Sequence, residues 1–209
     1  HISVEKQIVG QPELGFLFPA FDDRAANLYN ALFYSRKPDA LHQEFIDAVF
    51  HTEPPMSASE QRETFQSALC GALEEDCSME VIQSVHDYLR QRIQEHKDSR
   101  DPEPLAVTAG EVGGVLRNCG VPETRVEAFQ AACGESFGEG ALAPANLIDA
   151  KHFAVKTAEA TIQVDPERSF LVEARVIDGR RYLLVPADES VEVNGLGVRI
   201  AAETRNETL

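Results

Sequence analysis

The feature that most restricts the fold of this chain is the apolar stretch Pro12-Glu13-Leu14-Gly15-Phe16-Leu17-Phe18-Pro19-Ala20-Phe21, followed at once by Asp22-Asp23-Arg24. A run bounded by two prolines cannot be a regular helix, because Pro19 has no backbone donor and its ring pushes Phe18 into extended geometry. The stretch therefore predicts an extended strap laid on a core. Three of the eleven phenylalanines, Phe16, Phe18 and Phe21, sit in it. They read as core residues or, where another domain or chain covers them, as a contact surface. Asp22 and Asp23 read as caps of a following helix whose positive end they complement. The alternative is a carboxylate site for a divalent ion or for acid–base work. It is the weaker reading, because successive helical residues diverge by about 100° around the axis. Arg24 is placed to pair with a carboxylate such as Glu13 and so pin the strap. Phe16, Phe18, Phe21, Asp22, Asp23 and Arg24 form the candidate surface.

Beyond the strap, the pattern divides into a helical part and a strand part. A first helix is expected from Asp22 or Asp23 to about Tyr34, with Ala25, Leu28, Tyr29 and Leu32 on one face. A second is expected from Pro38, with Leu41, Phe45, Ala48 and Val49 inward, stopping before Pro54-Pro55. Ser57-x-x-Glu60 is a capping box that opens a third helix carrying Phe65, Leu69, Ala72 and Leu73. Ser78 caps a fourth, with Ile82, Val85, Leu89 and Ile93 inward. These four predict a compact bundle over residues 1–100. Asp98 to Pro104 holds two prolines and no apolar period, so it reads as a linker. Thr108-x-x-Glu111 and Pro122 then open a helical pair over 101–150, with Gly120 between its members and Val126, Phe129 and Cys133 inward.

From Phe153 the period becomes two. Phe153-Val155-Thr157, Thr161 to Val164, Val172 to Ile177 and Arg181 to Val185 alternate and are rich in β-branched residues. Asp178-Gly179 and Asn194-Gly195 are tight hairpin signals. Residues 151–209 therefore predict a small, mainly antiparallel sheet with a polar tail from Ala201 to Leu209. Helices followed by strands place the chain in the α+β class, an N-terminal helical bundle leading into a small β subdomain.

Charge narrows the function classes. The formal net charge is −16, and the acidity is concentrated early: residues 1–100 carry 9 basic and 17 acidic side chains, 101–150 carry 2 and 8, and 151–209 carry 8 and 10. Such a surface repels phosphate backbones, so direct nucleic-acid binding is disfavoured. The helical pair around Gly120 has helix-turn-helix spacing, but its second helix sets only Arg125 against Glu123, Glu127 and Glu135. No apolar run approaches the roughly 18 residues of a membrane span, and no basic leader precedes an apolar segment. The expectation is a cytoplasmic protein without membrane contact, whose partners are other proteins or copies of itself.

Catalytic and metal signals are weak. Cys70, Cys77, Cys119 and Cys133 show no Cys-x-x-Cys or zinc spacing and read as reduced, mostly buried small hydrophobes. His1, His42, His51, His86, His96 and His152 form no helix-borne metal pair, and no Gly-x-Ser-x-Gly elbow or glycine-rich phosphate loop is present. No cofactor, metal or catalytic residue is assigned. An enzymatic reading requires Asp22, Asp23 and His42 or His86 to converge on one pocket.

The stretch from Pro12 to Arg24, which ends in "GFLFPAFDDR", resembles the signature of a bacterial family catalogued as domain of unknown function 4317. "LHQEFIDAVF" (41–50), "MSASEQRETF" (56–65) and the stretch from Val164 to Gly195 resemble the same family, so the likeness covers residues 12–195. It implies membership without naming an activity. It also implies a longer N-terminus than this chain, which begins with His1, so these residues are expected to be a C-terminal portion. A fainter likeness, in element order and scattered apolar positions with no matched functional motif, is to bacterial nucleoid-associated proteins, and fold does not fix function. The reading is a non-catalytic interaction or scaffold module. The alternatives are a nucleoid-associated role and an enzyme with a carboxylate site at Asp22 and Asp23.

Overall fold

The computed structural model describes residues 10–22, 25–37, 40–138, 141–187 and 191–200, with Asp22 and Ala25 described by their backbone only. The chain opens with strands. β1 (Leu14–Leu17) pairs antiparallel with β4 (Leu32–Ser35), and between them β2 (Ala20–Asp22) pairs with β3 (Ala25–Asn27). The helix expected from Asp22 to Tyr34 is therefore replaced by strand pairing. Local turn bonding accompanies the replacement: the Asn27 side chain accepts from the Tyr29 N–H at 2.9 Å, and the Asn30 backbone carbonyl accepts from the Ala20 N–H at 2.9 Å. Such local turn bonding competes with a helix. The stripe assigned to that helix faces outward, with Leu28, Tyr29 and Leu32 all exposed.

α1 (Gln43–Phe50) follows and buries Ile46. Its start is later than Pro38, which lies outside the described residues, and it ends before Pro54-Pro55 as expected. α2 (Ala58–Leu73) begins at the predicted capping box: Ser57 Oγ accepts from the Glu60 N–H, and the Glu60 carboxylate accepts from the Ser57 N–H at 2.8 Å. A 3₁₀ turn (Glu74–Asp76) leads to α3 (Met79–Ser99), whose N-cap is Ser78. α4 (Ala109–Asn118) carries the second capping box, between Thr108 and Glu111. Gly120, at φ 82°, closes that helix, and α5 (Glu123–Phe137) starts immediately after Pro122. The short α6 (Pro144–Leu147) ends the helical part.

One core joins these helices. Phe65, Leu69 and Leu73 of α2, Val85 and Leu89 of α3, Val112 and Leu116 of α4, Val126 and Phe129 of α5, and Leu147 of α6 are buried in a single apolar cluster. Helices on both sides of the proline-bearing 98–104 connection contribute to it, so the core extends across that connection. Phe65 and Phe129 meet edge to face, their ring centroids 5.9 Å apart. Burying each such large side chain stabilises the fold by about 1.5–3 kcal/mol.

The strand part is not one sheet. β5 (Phe153–Lys156) pairs with β6 (Thr161–Val164), β7 (Glu173–Ile177) with β8 (Arg180–Leu184), and β9 (Val191–Val193) with β10 (Leu196–Val198), each as a separate antiparallel pair. Both hairpin signals are correct: Asp178 and Gly179 have φ of 50° and 76°, and Asn194 and Gly195 have 52° and 80°, the left-handed pairs of tight turns. The first pair and the 3₁₀ turn after it (Pro166–Leu171) are fastened to the helices. Phe153 is buried against His86, and Gln83 donates to the carbonyls of Ser169 (2.7 Å) and Val172 (3.1 Å). The whole is α+β, with helices flanked on both sides in sequence by short antiparallel pairs.

Candidate functional site

The N-terminal strands and α1 form an aromatic groove. On the β1–β4 ladder Phe16 lies opposite Phe33, and both face α1. The Phe16 ring is 5.4 Å from Phe50 in an edge-to-face contact and 5.9 Å from Phe45, while Phe33 stacks on Phe45 at 6.1 Å. These pairings fix the hairpin on the helix. Beside them opens a cavity of about 690 Å³ lined by Phe18, Tyr29, Phe33, Leu41, Ile46 and Phe50, with Glu53 and Thr52 at its polar side. That volume falls within the range of small-molecule and peptide-anchor pockets.

The six candidate residues divide unevenly. Phe16, Phe18 and Phe21 remain 51%, 56% and 65% exposed, so among the described residues the strap is not buried as a core element. Leu17, Leu32 and Tyr34, on the other face of the β1–β4 ladder from Phe16 and Phe33, are exposed as well. Asp22 ends β2 opposite Ala25 and caps no helix. Asp23 and Arg24 lie outside the described residues. The Glu13 carboxylate accepts from Arg36 at 3.2 Å, and the Arg36 N–H donates to the Glu13 carbonyl at 2.9 Å. The strap is thus pinned to the end of β4.

The histidines of the enzymatic reading are apart. His42 sits before α1 with φ 50° and lines a cavity with Pro54, Glu60 and Thr64. His86, in α3, is 8% exposed and lines a different groove with Asp149 and His152. Its Nε2–H donates to the Asp149 carbonyl at 3.0 Å, and because a carbonyl only accepts, the proton belongs on that nitrogen. The Asp149 side chain holds His152 at 3.0 Å, which with the Lys151 N–H keeps its carboxyl below the usual carboxylate range. Spacing gave no sign of this corner, because Asp149 and His152 reach His86 only through the packing of α6 on α3. Among the described residues, no three His, Cys, Asp or Glu side chains come together as a metal ion requires.

The cysteines are all free, but they are not all buried. Cys133 is buried, Cys77 and Cys119 are half-buried, and Cys70 is exposed. Burial pushes the Cys133 thiol up to about 11.

Fold and groove together define a class: an α+β protein that presents an aromatic surface built on a terminal hairpin and one short helix. The family model described as "Domain of unknown function (DUF4317)" matches residues 1–196, and the chain belongs to that family. The match takes in strap, helices and strands alike. No curated protein and no solved structure matches the chain. Among the described residues, no helix is long and apolar enough to cross a membrane.

Proposed function

We propose that this chain is a non-catalytic protein-interaction module of the bacterial cytoplasm, and that its aromatic groove takes the apolar face of a basic segment from a partner protein. The observation that carries this reading is a mainly apolar cavity of about 690 Å³ lined by Phe18, Tyr29, Phe33 and Phe50, beside a strap whose Phe16, Phe18 and Phe21 are half-exposed. Contiguous aromatic exposure of this kind is uncommon on a surface that meets only water. Charge sets the partner's chemistry. Residues 10–56 carry seven acidic and three basic side chains, Glu53 lines the cavity itself, and Arg36 is engaged by Glu13. Apolar anchors flanked by Lys or Arg complement that lobe, and aromatic pockets of this type hold binding hot spots.

The same charges argue against nucleic acid. The two cations of the α4–α5 pair are occupied, Arg117 donating to Glu123 at 2.6 Å and Arg125 to Glu74 at 2.7 Å. No free cationic face remains on that helix pair for a phosphate backbone.

The test is fluorescence anisotropy with two labelled amphipathic peptides that share Phe and Leu anchors, one flanked by Lys and one by Glu. The Lys peptide should bind, and Phe18→Ser or Tyr29→Ser, both at exposed positions, should weaken it by about tenfold or more. Equal binding of both peptides, or binding that ignores Phe18 and Tyr29, overturns the reading. Sedimentation of the unliganded protein as a dimer that the same substitutions dissociate would reassign the groove to self-association.

A further inference from the structure

We propose that Cys70 and Cys77 form a thiol–disulfide site, oxidised by exchange with an anionic low-molecular-weight disulfide of the glutathione class. Their spacing matches no redox motif, yet the turn between α2 and α3 brings the two sulfurs to 3.3 Å, with the Cys77 thiol donating to Cys70. A disulfide needs about 2.05 Å between sulfurs, so the remaining approach of roughly 1.3 Å is within reach of a side-chain rotation.

The turn holds the pair in place. The Glu74 N–H donates to the Cys70 carbonyl, Cys77 N–H donates to the Glu74 carbonyl at 3.2 Å, and Ser78 N–H donates to the Asp76 carbonyl at 2.8 Å. Arg125 of α5 grips the same turn through Glu74 at 2.7 Å and the Ala72 carbonyl at 3.5 Å. Glu74 itself sits at φ 49°, a conformation an L-residue keeps only when its surroundings impose it.

The two thiols differ in role. Cys70 is exposed and lines a groove with Arg62 and Lys156, whose charges suit an anionic oxidant; the Asp149 carboxylate in that groove is engaged by His152. Cys70 gives its proton to water, and the thiolate attacks one sulfur of the small disulfide, whose S–S bond breaks and releases one thiolate. Cys77, after losing its proton to water, attacks Cys70 Sγ; the mixed disulfide breaks and the second small thiolate leaves. Each released thiolate takes up a proton. The net change is two protein thiols oxidised to one disulfide and one small disulfide reduced to two thiols. Burial first, and then the hydrogen bond to Cys70, push the Cys77 thiol up to about 12. The contribution from Cys70 disappears once Cys70 is in the mixed disulfide, so the first step eases the second.

The assay uses the whole reduced chain. It is titrated with oxidised glutathione, alkylated under native conditions and digested with trypsin. No Lys or Arg lies between Arg62 and Arg90, so both cysteines fall on one peptide and a bridge appears there as a loss of two hydrogens without alkyl label. The bridge is expected at oxidant levels at least about tenfold below those that modify Cys119 or Cys133. Cys77→Ser should trap glutathione on Cys70, and Cys70→Ser should leave Cys77 unmodified. Modification of all four cysteines in parallel, a mixed disulfide in the parent chain that never resolves, or a bridge seen only after denaturation overturns the proposal. The parent-chain map stands whether or not either variant folds.

Discussion

Replacing Phe129 by alanine tests whether the helices before and after residue 102 are one cooperative unit. Phe129 is fully buried on α5, its ring set edge-on to Phe65 of α2 at 5.9 Å. Truncation removes the ring's transfer free energy and leaves a cavity that α2, α4 and α5 cannot close, because each is held by further buried residues of the same cluster. Phe→Ala at such a site costs about 3–5 kcal/mol, a large share of the roughly 5–15 kcal/mol that holds a domain together. With a urea slope near 2 kcal/mol/M, a 4 kcal/mol loss moves the unfolding midpoint down by about 2 M. Far-ultraviolet circular dichroism against urea measures that shift, and hydrogen exchange locates it. If the core is shared, amide protection in α2, α3 and α5 falls together, by up to nearly three orders of magnitude for amides that exchange through global unfolding. Protection lost only in α4 and α5, with α2 and α3 unchanged, would refute the shared core and mark the 98–104 connection as a boundary between independent units.

Two further perturbations probe the helix contacts and the charged caps. A Cβ on Gly113 would lie 3.0 Å from Val126 Cγ1 and 2.5 Å from the end of Gln130, an overpacking cost of about 1–3 kcal/mol that the helix-propensity gain of roughly 1 kcal/mol offsets only in part, so Gly113→Ala should lower the thermal midpoint modestly; a raised midpoint would show that Val126 gives way freely at the α4–α5 contact. Glu74, Glu111, Glu123 and Asp149 all have carboxyls held below the ordinary range, chiefly by Arg125, by Thr108, by Arg117 and by His152 in turn. A depressed folded-state value adds stability above the unfolded value that is lost as pH falls through the folded one. Urea midpoints should therefore hold near neutrality and drop below about pH 4; a midpoint that rises on acidification would contradict the assignment of these pairs.

What the sequence made legible was local. Ser57 with Glu60 and Thr108 with Glu111 announce helix starts because cap and partner lie within one turn of chain. Asp178-Gly179 and Asn194-Gly195 announce hairpins because their backbone conformation is a property of two residues. The strand at Leu32–Ser35 was illegible because its partner, Leu14–Leu17, lies in the strap, and no local period distinguishes that pairing from a helix carrying Ala25, Leu28 and Leu32. Alternation after Phe153 identified strands without fixing partners, which is why three separate pairs read as one sheet. At the site, the aromatic strap was visible but its exposure was not. The Cys70–Cys77 approach depends on a turn at Glu74 that no spacing rule anticipates.

The strap's composition follows from how little of the chain is available to cover it. A two-stranded hairpin has two faces, and α1 covers only the one bearing Phe16 and Phe33. The other, with Leu17, Leu32 and Tyr34, meets solvent. An isolated hairpin is marginally stable in water, so this lobe depends on its contact with α1 far more than the buried cluster of α2 to α6 depends on any one neighbour. Any segment that lies in the groove adds contacts to Phe18, Tyr29 and Phe33 of this lobe, so part of its binding free energy appears as stabilisation of the hairpin itself. A firm helical core beside a loosely covered aromatic lobe is the division of stability expected when one part of a chain holds its shape and another awaits a partner.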